Sequence, residues 1–217
     1  MQRDAAPLSL RLFASALCVL LPSMLLAGCG STPNSRFYVL TPTAPAAIAT
    51  GSPSMRVGLE PVMLPDAYNR PQMLMTVAPN QRILWEFDRW AGSLADNMTR
   101  VVGLDLEARL GPTSVYAQPG FHMPTLDYTV GVEILELEMS PDGQCTMTAR
   151  FHIADKQRQW IASHQVDINP TNPSSHPSGP AGVATSMSAG LDTISQSIAD
   201  ALTRANASKA TAVRQTK

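Results

Sequence analysis

Between Cys145 and Ile153 the chain alternates without a fault. Cys145, Met147, Ala149, Phe151 and Ile153 are apolar, while Thr146, Thr148, Arg150 and His152 are polar. Period two with one wet face predicts an antiparallel strand with the Cys145 thiol on its buried side. Two neighbouring stretches repeat the pattern. In Leu126–Met139 the apolar positions are first Leu126, Tyr128, Val130, Val132 and Ile134, then Leu135, Leu137 and Met139. A slip of one residue would send a whole face to solvent, so the change of parity predicts a β-bulge near Ile134–Leu135. Trp160, Ala162, His164, Val166 and Ile168 make a third alternating strand, with His164 expected as a hydrogen-bonded core residue. Turn signatures at Ser140-Pro141-Asp142-Gly143 and Asp155-Lys156 join the three into a meander.

The N-terminal half gives weaker strands. Phe37–Leu40 is a short β-like run, followed by a Pro- and Ala-rich connection over Thr41–Ser54. Met55, Val57 and Leu59 alternate with polar or small residues, but Pro61 and Pro65 restrict that strand to an edge, a bulge or an early end. Gln72–Val77 and Arg82–Phe87 read as a hairpin across Ala78-Pro79-Asn80-Gln81. From Trp90 to Leu110 the period becomes helical: Leu94, Met98, Val101, Val102 and Ala108 share a face, with Leu106 at its margin. Ser93 or Asp96 suits the N-cap and Gly111-Pro112 the stop. Asp105 and Arg109 intrude on the apolar face at a spacing that lets them pair with each other. After a loop over Asn169–Pro180, Val183, Met187, Leu191, Ile194, Ile198 and Leu202 define a second helix. Gly190 and Ala201 on the same stripe let that helix lie close on the sheet. From Thr203 the chain is polar and weakly basic, and 203–217 is expected as a disordered tail. The elements predict a single α+β domain. Its sheet is largely antiparallel (mixed), with the two main helices packed on one face.

The hydropathy of the first residues is of another kind. Arg3 and Arg11 precede an apolar run, Leu12–Leu26, too short and interrupted for a comfortable bilayer-spanning helix. The run exits through Leu26-Ala27-Gly28-Cys29, the form of a bacterial lipobox. Residues 1–28 thus read as a lipoprotein signal peptide and Cys29 as the lipidated first residue of the mature chain. Residues 29–54 follow as an acylated tether with a short strand and linker, and 55–202 as the domain. The acyl chains would insert into membrane lipid. Gly30, rather than aspartate, after the cysteine favours the outer membrane, with the domain facing the periplasm.

Charge and chemistry add mostly exclusions. The 217-residue chain has 16 basic and 17 acidic side chains. Removing Arg3, Arg11 and Asp4 with the signal peptide leaves the mature chain near neutral, with no field to hold nucleic acid. With Cys18 discarded and Cys29 acylated, Cys145 has no disulfide partner and is best hidden. His122, His152, His164 and His176 lack metal spacing. Ser174, Ser175 and Ser178 lack the setting of a nucleophile elbow. No cofactor, metal site or catalytic role is expected. Two places remain as candidate partner-binding sites. Trp85, Phe87 and Trp90 sit among charges and serve either core packing or docking. The Pro65–Pro71 loop presents Tyr68 and Arg70 between prolines, as a stiffened docking loop or as a structural turn.

Several of these blocks come in a recognisable order: Ser35-Arg36-Phe37-Tyr38-Val39-Leu40 soon after the lipobox; Val57-Gly58 through Pro61-Val62 and Leu64-Pro65; Tyr68-Asn69-Arg70-Pro71-Gln72; Phe87-Asp88-Arg89-Trp90-Ala91-Gly92-Ser93-Leu94. The series resembles the ABC-type transport auxiliary lipoproteins, the PqiC (YmbA)-like family, from Arg36 to about Leu202. The long Thr41–Ser54 connection and the Asn169–Pro180 loop depart from it. The resemblance implies a non-enzymatic outer-membrane component of an envelope lipid-transport system. It further implies an MCE-domain (PqiB-like) periplasmic tunnel protein as partner and phospholipid or a similar apolar molecule as cargo, and is compatible with a homo-oligomer. A second reading is an outer-membrane lipoprotein that activates or assembles another envelope machine, such as a cell-wall synthase.

Overall fold

The meander forms as its alternation requires. In a computed structural model that describes residues 33–45, 55–117, 124–169 and 177–215, Tyr128–Met139, Cys145–Asp155 and Trp160–Ile168 pair antiparallel in sequence order. Cys29, the lipobox, and most of the Thr41–Ser54 and Asn169–Pro180 connections lie outside those residues. Along the first of these strands the register shifts between Ile134 and Glu136. Leu135 is the extra residue of the expected bulge, and because of it Leu137 and Met139 stay buried on the same face as Val130 and Val132.

Two three-residue strands extend this sheet. With strands numbered along the chain, β1 is Arg36–Tyr38, β2 Val57–Leu59, β3 Gln72–Ala78, β4 Gln81–Trp90 and β5 Val115–Ala117; the meander is β6, β7 and β8. The larger sheet has the order β5-β2-β6-β7-β8, with β2 parallel to both neighbours. The prolines after β2 therefore act by ending it at Leu59, not by confining it to an edge. β5 has no periodic signal of its own; its pairing with β2 creates it.

The smaller sheet is β1-β4-β3. Its hairpin is the predicted one, but β4 runs on to Trp90, past the expected change to helical period. The break comes at Gly92, at φ 105°, a conformation that suits glycine. Ser93 then caps helix α1, Leu94–Leu110, its Oγ accepting from the Asp96 N–H at 3.3 Å. Arg82 lies 3.7 Å from Glu138, linking the hairpin to β6.

Helix α2, Gly179–Gln215, lays Val183, Met187, Leu191, Ile194, Ile198 and Leu202 into the core, each 0 % exposed. At Gly190 an added Cβ would lie 3.0 Å from Ile168 Cγ2 and against the Met147 methyl, so the helix touches β7 and β8 as closely as glycine permits. It does not stop at Leu202. The expected disordered tail is helical to Gln215: Ala201 to Gln215 is rich in alanine and contains neither glycine nor proline, so nothing halts propagation. Two other expectations are corrected. Arg109 reaches across to Asp192 at 2.6 Å and Gln196 at 2.8 Å, not to the Asp105 carboxylate. His164 is exposed, with its ring 5.4 Å from that of Phe151, because β8 is an edge strand whose one buried residue is Ile168.

The result is a single α+β domain with a core shared by both helices and both sheets. Phe151, 1 % exposed, sits at its centre on β7. Phe151→Ala is expected to lower the unfolding free energy by about 3–5 kcal/mol, measured by urea denaturation. The Cys145 thiol on the same face, 0 % exposed and held protonated by burial, should become reactive only as the protein unfolds, and earlier on the urea axis in the variant.

Candidate functional site

The first described strand and the residues after it are built into the domain. β1 pairs parallel with β4, with Arg36 opposite Asp88. In that register Arg36 grips the Asp88 carboxylate with both arms of its guanidinium, at 2.8 and 2.9 Å, and the Tyr38 hydroxyl donates to it at 2.9 Å. Asp88 is 5 % exposed, so its charge needs such partners. Leu40 is fully buried, and Arg100 donates to its carbonyl at 2.5 Å. The Thr41 N–H donates to Ser188 Oγ at 3.1 Å, and the Thr43 and Ala44 N–H groups donate to Asp105 Oδ1 at 3.0 and 2.9 Å. Residues read as tether thus belong to one compact unit from Ser35 onward. Asp105 is the joint between this strap and α1. It is fully buried, and its Oδ2 has no hydrogen-bond partner among the described residues.

The four aromatic and basic candidates separate by burial. Tyr68 ends a single 3-10 turn, Asp66–Tyr68; it is 5 % exposed and its hydroxyl donates to the Leu137 carbonyl. Trp90 is 2 % exposed, and its backbone N–H donates to the Pro71 carbonyl at 2.7 Å. Both rings therefore pack the core, and the proline-bracketed loop is fastened to the end of β4. Trp85 is half-buried, its ring edge facing Gly179 at the start of α2. Of the four only Arg70 is exposed. The exposed apolar side chains lie elsewhere: Phe37 and Val39 at β1, Ile83 and Leu84 on β4, Trp160 and Ile161 at the start of β8. Phe37 and Val39 alternate with the inward-facing Tyr38 and Leu40, but all four are apolar and the sequence did not mark which pair would face solvent.

Among the described residues no cluster of His, Cys, Asp or Glu is placed to hold a metal ion. Cys29 lies outside them. No helix among them is long and apolar enough to cross a membrane. A groove of about 470 Å³ runs between α1 and β5, lined by Pro61, Arg100, Leu104 and Val115 among others.

The family model described as ABC-type transport auxiliary lipoprotein component matches residues 38–199. Among solved structures, one of an uncharacterized protein superposes with a TM-score of 0.58 at 15 % identity, covering 78 % of this chain and 99 % of that one. Protein XCC0632 of Xanthomonas campestris, of the DUF330 family, superposes with a TM-score of 0.54 at 14 % identity, covering 75 % of this chain and 92 % of its own. At these identities the likeness is one of fold. No curated protein matches the chain significantly.

Two expectations follow from the polar joints. Tyr68→Phe leaves the Leu137 carbonyl buried and unpaired, and should cost about 1–3 kcal/mol; Arg70→Ala, at an exposed position, should change stability by less than about 0.5 kcal/mol. Thermal unfolding of the two variants separates them. Asp105 gives a pH dependence. Burial raises its carboxyl above the ordinary range, and the Ala44 N–H opposes this only in part. A raised carboxyl stabilises the fold fully below the unfolded-state pKa of about 3.9, and that contribution is lost as pH rises through the folded value. Asp105→Asn keeps an acceptor for both N–H groups without the charge. It should therefore gain on the parent protein as pH rises above about 4, and a stability gap that does not change with pH would refute this account.

Proposed function

Because the chain belongs to the ABC-type transport auxiliary lipoprotein family, we propose that it is the membrane-anchored, non-enzymatic auxiliary component of an intermembrane lipid-transport system of the MCE type. The family match carries this reading, and the lipobox supports it. Cys29, acylated after removal of residues 1–28, holds the protein in the outer membrane with the domain in the periplasm. Two or more acyl chains give stable attachment, at about 0.8 kcal/mol per buried CH₂. The partner is an MCE-domain tunnel protein that spans the periplasm from an inner-membrane component, and the cargo is phospholipid or a similar apolar molecule. The division of labour is physical. The acyl chains hold one end at the membrane, and the joints at Asp88 and Asp105 fasten the strap to the domain. The domain presents exposed side chains such as Arg70 and half-buried Trp85 to the tunnel, while Tyr68 and Trp90 hold those residues in place from within.

The test is a pull-down of the chain from detergent-solubilised native envelope with identification by mass spectrometry. An MCE-domain protein and its inner-membrane component should co-purify. Capture of cell-wall synthase components in their place would transfer the protein to the alternative role, an activator of another envelope machine.

A further inference from the structure

The first strand of the domain turns apolar side chains to solvent. Phe37 is 64 % exposed and Val39 52 %, while Leu40 is 0 % exposed and Tyr38 half-buried against the core. Exposure of this kind on a strand pinned to a buried carboxylate is not slack in the packing: Arg36 and Tyr38 hold β1 in register through Asp88. The charges beside Phe37 are already spent. Arg36 is taken by Asp88, and Arg89, which shares Phe37's register position on β4, is taken by Glu86 at 3.0 Å. The surface around Phe37 and Val39 is thus locally neutral. It has no charge pattern with which to choose a protein partner, but it suits the boundary between lipid headgroups and acyl chains.

Chain length supplies the location. Arg36 is the seventh residue after Cys29 in the sequence. A fully extended chain spans at most about 3.3–3.6 Å per residue, so Arg36 stays within about 25 Å of the cysteine whatever path the chain takes. The outward face of β1 follows Arg36 directly. Trp160 is more exposed, but it stacks on His152 at 4.6 Å and no tether brings it near the anchor.

We propose that Phe37, with Val39, is a second membrane contact, seated in the interface of the same bilayer that holds the acylated Cys29. The inference rests on the acylation of Cys29 proposed above and goes beyond it. Acyl chains alone hold the protein at the membrane but let it swivel. A second contact eight residues on, made by a strand locked to the core, sets the orientation of the whole domain and hence which surface faces the periplasm.

The test uses the mature, lipidated chain in phosphatidylcholine vesicles. Cys145 is buried and acylated Cys29 is blocked, so Phe37→Cys and Gln165→Cys each accept one environment-sensitive dye; Gln165 is an exposed position of β8. The dye at position 37 should shift to the blue and lose emission to lipids spin-labelled high in the acyl chain, and added salt should not reverse this. The dye at position 165 should do neither. Equal quenching at both positions, in protein whose intact mass shows acyl chains, overturns the membrane contact and leaves the anchor standing. A dye at position 37 unquenched by lipid, but shielded from aqueous quencher as protein concentration rises, overturns it in favour of contact with a second copy. A mature mass without acyl chains on Cys29 overturns the anchor and this contact together.

Discussion

One face of β6 and β7 must be covered, and the rest of the domain is arranged to cover it. Val130, Val132, Leu137, Met139, Cys145, Met147, Ala149, Phe151 and Ile153 all point to that face and all are buried. An open two-sided sheet of these residues would not survive in water. Helix α2 is the main cover, and it fits because Gly190 lets it approach Met147 and Ile168. The bulge at Leu135 serves the same demand: without it the strand beyond would turn Leu137 and Met139 away from the helix. α1 packs beside α2, joined to it by Arg109 and Asp192. The small sheet then closes the remaining side through Met73, Met75 and Trp90.

The N-terminal strap depends on this core but is held by different forces. A three-residue strand has too few ladder bonds to stand alone, and β1 persists because Asp88 is buried and must be neutralised. The cost of an uncompensated buried charge is several kcal/mol, so Asp88 favours the register that brings Arg36 and Tyr38 to it. Asp105 fastens the strap further along by accepting from two of its backbone N–H groups. The strap is thereby fastened to the fold at two points, Asp88 and Asp105.

How much of this was legible in the sequence follows from the range of the signals. Elements that carry their own period were legible: β6, β7, β8, the β3–β4 hairpin, both helices, the bulge and the Ser93 cap. Elements made by pairing were not. β5 and the interior position of β2 arise from parallel contacts between segments about 60 residues apart, and three residues hold no period to read. The helical continuation past Leu202 was hidden because the apolar stripe ends there, while helix propensity does not. Arg109 and Asp105 looked like partners at a spacing of four. Each had a better one on another element, since a buried carboxylate took the strap and the guanidinium reached Asp192. Of the candidate site, Arg70 was legible as an exposed residue, but the burial of Tyr68 and Trp90 was not, because tyrosine and tryptophan suit a core and an interface equally well until the neighbours are known.

The blocks that carry the family resemblance therefore have an unequal bearing on fold and on partner choice. Ser35–Leu40 and Phe87–Leu94 lie 52 residues apart in sequence at Arg36 and Asp88, yet they are one structural unit, two parallel strands joined by that ion pair and ending in the α1 cap. Tyr68–Gln72 fastens the loop to β4 and to Leu137. Val57–Leu59 is an interior strand. Each block is a joint of the scaffold, and most of its side chains are spent on holding it. A residue that carries a buried charge pair or a buried hydroxyl bond cannot also be reshaped to suit a partner without loss of the fold. Any recognition of a partner must then fall to side chains the joints leave free, such as Phe37 and Val39 beside the inward-facing Tyr38 and Leu40, Arg70 at the loop, and Ile83 and Leu84 on the hairpin.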